Sequence, residues 1–81
     1  NLNKATISRF LYLATYIDYN DREENVLVKH TKNNKIDYMT KKDMRNLLNL
    51  SEKTFFDFLK EIKEKELLFE ANNKIYLNPI S

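Results

Sequence analysis

Between Lys29 and Arg45 stand six basic residues, Lys29, Lys32, Lys35, Lys41, Lys42 and Arg45, against two acidic ones, Asp37 and Asp43. The flanks are the reverse: Asp18 to Glu24 carries four acids against Arg22, and Asp57 to Glu70 carries five acids against three lysines. A basic block between acidic ones attracts phosphate or acidic partners, although the same side chains also make an ordinary solvated surface. Lys41 and Lys42 sharpen the choice. If a helix starts there, two cations in its first turn oppose its dipole, which favours an anionic partner over solubility alone. Catalysis has no such foothold. His30 is the single histidine, and the chain holds no cysteine and no glycine, so it offers neither a thiolate or multi-histidine metal site nor a phosphate-cradling glycine loop. Its carboxylates are scattered among lysines along helix faces. No enzyme activity, metal or cofactor is expected.

The elements that must position these charges follow from spacing. From about Lys4 to Tyr19, Ile7, Phe10, Leu11, Ala14 and Ile17 recur at helical intervals, with Asn3 or Thr6 available as the cap. "NVLVKH" and "KIDYMT" around "TKNN" read as a β-hairpin or as two extended arms, which must lean on the helices for stability. Thr40 and Asp43 stand at capping-box spacing and open a short second helix, from about Lys41 to Leu48, whose apolar face is Met44, Leu47 and Leu48. Asn49 stops it in place of a glycine. Ser51 caps a third helix from about Glu52 to Lys65, with Glu52 complementing the dipole. That helix buries Phe55, Leu59 and Ile62. Of Phe56 and Phe58, only one can face inward beside Phe55. "LLFE" and "KIYL", joined by "ANN", alternate as a hairpin with one face on a core, and Asn72-Asn73 supplies the turn. The expected core is Ile7, Phe10, Leu11, Ala14, Ile17, Met44, Leu47, Leu48, Leu50, Phe55, Leu59, Ile62, Leu67, Leu68, Ile75 and Leu77.

At 81 residues the chain makes at most one domain with a modest core. Absence of cysteine fits a reducing cytoplasm. No apolar run approaches a membrane span or a signal peptide. A start at Asn1 without methionine leads us to expect a single domain, 1–81, taken from a longer chain. The abundance of Lys, Asn, Ile, Tyr and Phe matches AT-rich codons, as in low-GC bacteria and their phages and plasmids.

Short helix, short turn, capped helix and terminal hairpin make a helix-turn-helix followed by a wing. Leu50 points into the angle of the turn, and the first helix completes the core. The expected fold class is α+β, mainly α: a winged helix with a three-helix core and a short extra strand or hairpin between helices 1 and 2. "MTKKDMRNLLNLSEKTFFDFLKEIKEKELL" resembles the winged-helix domains of bacterial regulators. More narrowly, "LLF…IYLNP" is similar to the ending of RepL-type plasmid replication proteins of Firmicutes and related phage proteins. The resemblance spans roughly Ile7 to Pro79.

It implies double-stranded DNA as the partner, with the third helix in the major groove. Carried over residue by residue, the outward positions are Ser51, Glu52, Lys53, Thr54, Phe56, Asp57 and Lys60. Thr54 would meet a phosphate or base edge, Lys53 and Lys60 phosphates or guanine, and Phe56 a thymine methyl. Lys41, Lys42 and Arg45 would reach the backbone across the groove, and Lys74 would meet the adjacent minor groove. Asp57 and Glu61 stand where such domains often carry basic or small polar residues. The third helix, 52–65, holds four acids and four lysines, so net attraction must come from the second helix and the basic loop. Such a domain would serve as a replication initiator or transcription regulator, alongside replication or transcription proteins. The alternative is a winged helix used as a protein-interaction module. Tyr12, Tyr16 and Tyr19 lie on one side of the first helix, where they either extend the core or form a homodimer surface.

Overall fold

Asn3 starts the first helix, α1 (Lys4–Ala14): its side chain accepts the Thr6 amide at 2.8 Å. That bond satisfies one of the donors a helix start leaves open. A computed structural model describes residues 3–18, 25–33 and 35–78. Of the two caps the sequence offers, Asn3 is used. Thr6 turns inward instead, and its buried hydroxyl donates to Glu61 Oε1 at 2.7 Å. The helix stops at Ala14, short of the expected end near Tyr19. Thr15 keeps helical geometry, and the Tyr16 and Ile17 amides still reach back to Leu13 O and Ala14 O, but helical bonds then give way to a ladder with residues 26–28: the Val28 amide donates to Tyr16 O at 3.0 Å and the Asp18 amide to Val26 O at 3.1 Å. β-Branched Thr15 and Ile17 favour that exchange. The buried face also differs from expectation. Thr6, Phe10 and Leu13 point inward, while Leu11 is 55% exposed. Leu11, Tyr12 and Leu13 are consecutive apolar residues, so periodicity alone allows either face. The Thr6–Glu61 bond and the packing of Leu13 select the second.

Val26 and Leu27, both fully buried, form the junction of the fold. The Leu27 amide donates to Ile75 O at 2.8 Å, its carbonyl accepts the Met39 amide at 3.0 Å, and the Leu77 amide donates to Asn25 O at 3.0 Å. The segment therefore bonds residues 16–18 on one edge and the terminal hairpin on the other. It continues into β1 (Val28–His30), which pairs antiparallel with β2 (Ile36–Tyr38), Lys29 opposite Asp37. Of the two arrangements the sequence allows, paired strands rather than separate arms form here, and they lean on the core through Met39, which is 1% exposed, while Ile36 is 54% exposed.

The second half follows the expected boundaries closely. In α2 (Lys41–Leu48) the capping box is complete: Thr40 Oγ1 accepts the Asp43 amide at 3.2 Å, and Asp43 Oδ2 accepts the Thr40 amide at 2.9 Å. Asn49 takes the left-handed conformation (φ 54°), and the Leu50 amide reaches back to Arg45 O. After α3 (Glu52–Glu64) the motif repeats: Glu66 sits at φ 58°, its amide donating to Lys63 O at 3.0 Å and the Leu67 amide to Ile62 O at 2.8 Å. This is the Schellman arrangement, which usually places glycine at the left-handed site. A glutamate there is strained by its Cβ. We expect Glu66→Gly to stabilise the domain by about 1 kcal/mol, the strain relieved exceeding the added unfolded-state entropy. An unchanged or lower urea midpoint would refute this. The terminal hairpin, β3 (Leu68–Ala71) and β4 (Lys74–Leu77), turns on Asn72 and Asn73 at φ 53° and 62°, the pairing that suits strand twist without glycine.

The described residues thus form a small α+β domain of three helices and antiparallel hairpins. Phe10, Leu13, Leu27, Met39, Met44, Phe55, Phe58, Leu59, Ile62, Leu68, Ile75 and Leu77 make one core. Phe58 takes the inward place and Phe56 the outward one. Ala14, Ile17, Leu47, Leu48, Leu50 and Leu67 pack on its margin. No helix among the described residues is long and apolar enough to cross a membrane.

Candidate nucleic-acid interface

The outward face of α3 begins at its cap. Ser51 Oγ accepts the Thr54 amide at 3.3 Å and donates to Thr54 Oγ1 at 2.9 Å. The two hydroxyls are thereby held in place, with the Thr54 proton left to give to an incoming oxygen. Glu52, Lys53, Phe56, Asp57 and Lys60 all lie exposed, and Phe56 is 67% exposed. Spacings of three and four set Lys53, Phe56 and Lys60 in one row and Asp57 beside Lys53. Lys53, Lys60 and Lys42 form no ion pair with another described residue. Glu61, the other acid expected to trouble this face, points to Thr6 of α1. Its carboxylate is thus engaged by Thr6, which leaves Asp57 in the row and Glu64 beside Lys60 as the repelling or cytosine-reading carboxylates of this face.

Several expected backbone contacts have partners inside the domain. Arg45 Nε donates to Leu50 O at 3.1 Å and so closes the connection between α2 and α3. Lys41 Nζ lies 3.4 Å from Glu70 Oε1, and Lys63 Nζ lies 2.6 Å from Glu70 Oε2. The Lys63 bond, aided by Lys41, holds the Glu70 carboxyl below its usual range against the opposing effect of burial. Lys74 Nζ stands 4.5 Å from the centroid of the Tyr38 ring, a cation–π contact that ties the terminal hairpin to β2. Lys29, in the basic block, pairs with Asp43 Oδ2 at 2.8 Å. Burial alone would raise the Asp43 carboxyl, but the Lys29 ammonium and two Thr40 donors together bring it below its ordinary value. The cation surplus read along the sequence is thus partly spent within the fold, and no local signal reveals which lysines have found acids.

One concave surface adjoins the row, and a second lies between the start of α2 and the terminal hairpin. A shallow cavity of about 330 Å³ is lined by Lys41, Phe56, Leu59, Lys60, Lys63 and Glu64. Its floor is apolar and three ammonium groups stand on its rim. Lys63 was not among the expected site residues; its place in the last turn of α3, one turn beyond Lys60, was the available hint. A second hollow, about 520 Å³, opens between the start of α2 and the Asn72–Asn73 turn, with Lys41 and Lys74 at its sides. Among the described residues, no cluster of three or more His, Asp or Glu side chains could hold a metal ion.

The tyrosine strip divides. Tyr12 is 46% exposed, whereas Tyr16 packs on the margin of the core. Their rings meet edge to face at 5.7 Å and 74°, with the hydroxyls 3.4 Å apart. The shared hydrogen bond, reinforced by burial, raises the Tyr16 hydroxyl above its ordinary value. Tyr19 lies outside the described residues. Comparison with protein-family models, with curated proteins and with solved structures yields no match for this chain.

Proposed function

We propose that this chain is a winged-helix domain that binds double-stranded DNA, with α3 in the major groove and the terminal hairpin as the wing beside it. The observation that carries the reading is the outward face of α3: Lys53, Phe56, Asp57 and Lys60 are all exposed, with no other part of the described chain lying over them. Further support comes from the tight Asn49–Ser51 connection, which fixes α3 on α2, and from the core shared by Ile62, Leu68, Ile75 and Leu77, which keeps the hairpin beside α3. In this reading Lys53, Lys60 and Lys42 neutralise phosphates, Thr54 donates to a phosphate or base edge, and Phe56 meets a thymine methyl. Such a domain belongs to a cytoplasmic replication initiator or transcription regulator of a plasmid, phage or low-GC bacterium. A second reading, a winged helix that docks on another protein or on its own copy, draws on Leu11 and Tyr12, both exposed on α1.

Salt dependence separates the two. About three phosphate contacts give a log–log slope near −2.7, so raising salt from about 50 to about 200 mM should weaken binding to a labelled duplex about fortyfold. Fluorescence anisotropy at both concentrations reads this. Absence of binding at the lower concentration, or a flat response to salt, would overturn the DNA reading.

A further inference from the structure

We propose that Lys41 and Lys63 form a binding site for a nucleic-acid phosphate, and that Glu70 occupies it in the free protein as an internal stand-in for that phosphate. The proposal rests on the DNA-binding reading above. The two ammonium groups come from the start of α2 and the last turn of α3, and they converge on the separate oxygens of one carboxylate at 3.4 and 2.6 Å. Two cations from different elements on two oxygens of one anion is the geometry a phosphate needs. Burial does not force the pairing: the Glu70 side chain keeps 34% of its exposure, and those of Lys41 and Lys63 keep 53% and 42%. Water could solvate all three, and ion pairs this exposed are held weakly. A phosphate in a polyanionic duplex therefore competes well for both lysines. The site is also in the right place. Lys41 and Lys63 rim the same cavity as Phe56 and Lys60, so a phosphate held there continues the exposed row of α3 by one turn. The arrangement makes binding self-limiting: Glu70 screens two cations until a duplex offers a better anion.

Glu70→Gln keeps the shape and removes the charge. At about 100 mM salt its affinity for duplex should rise about tenfold, and the log–log salt slope should steepen by about 2, as two more lysines neutralise phosphates. Lys63→Ala should weaken duplex binding less in the wild-type background, where Glu70 competes for the site, than in the Glu70→Gln background, where it should erase most of the gain. A thermal melt of each variant reports folding separately. Should Glu70→Gln fail to fold, the wild-type protein still answers. Its Glu70 carboxyl carbon, followed by NMR, should titrate below the ordinary carboxylate range alone and return toward it when duplex is bound. If wild type binds while Glu70→Gln leaves affinity and slope unchanged, or the duplex leaves the Glu70 titration unmoved, Glu70 is only a clamp between hairpin and helices, and the proposal fails while the DNA reading stands. If Glu70→Gln binds and wild type does not, the screening role is upheld in its strongest form. If neither binds at low salt while both are folded, the DNA reading falls and takes this proposal with it.

Discussion

Leu13→Ala should cost about 3 kcal/mol of stability, while Leu11→Ala, two positions earlier on the same helix, should change it by less than about 0.5 kcal/mol. The residue type, the helix and the substitution are the same; only the face differs. Leu13 is fully buried in the central core and Leu11 is 55% exposed. Truncating Leu13 removes its transfer energy and leaves a cavity between α1 and the rest of the core, which close packing cannot fill. Total stability for a chain of this size is on the order of 4–12 kcal/mol, so the loss is a large fraction of it. In a thermal melt it should appear as a fall of about 12–24 °C in Tm. Equal effects at both positions would mean that α1 is docked on a different face. A large effect at Leu11 alone would restore the face that periodicity suggested.

The double substitution Lys53→Ala, Lys60→Ala should weaken duplex binding about 30-fold and make the log–log salt slope shallower by about 2, because each lysine is assigned one phosphate. Two contacts of about 1 kcal/mol each account for the affinity change. Both side chains are exposed and form no ion pair with another described residue. Alanine is a good helix former, so Tm should hold or rise slightly. That separation makes the experiment decisive: a folded variant with unchanged affinity and slope removes α3 from the interface. Loss of affinity with an unchanged slope would point to a lost base contact rather than a phosphate contact.

Much of the second half of the chain was legible in its residues because local chemistry dictates it. Thr40 with Asp43, Asn49, Ser51 and Asn72-Asn73 each satisfy or redirect backbone groups within a few residues, so their roles do not depend on distant packing. The stripe Phe55, Leu59, Ile62 was clear because Asp57, Lys60 and Glu61 interrupt it, although the choice between Phe56 and Phe58 was not. The first helix was less legible. Its apolar residues run consecutively at Leu11, Tyr12 and Leu13, and its far end exchanges helical bonds for a ladder with residues 26–28, about ten positions further along the chain. The buried roles of Val26, Leu27 and Met39 were hidden for the same reason: Val26 and Leu27 find partners on α1's exit and on β4, and Met39 bonds to Leu27, all far off in sequence.

By itself, then, the sequence determined where helices begin and end in the second half, that Asn49 and Asn72-Asn73 redirect the chain (though not that Glu66 does so too), and which side of α3 faces out. These are decided by hydrogen bonds and periodicities spanning one or two turns. Only the tertiary structure decided which cations are spoken for. Lys41 and Lys63 meet on Glu70, Lys29 finds Asp43, and Glu61 turns to Thr6, pairings set by how α1, α2, α3 and the hairpins are brought together. Charge is additive along a chain, but its availability to a partner depends on neighbours a few ångströms away in space, and those neighbours are chosen by the packing of the core.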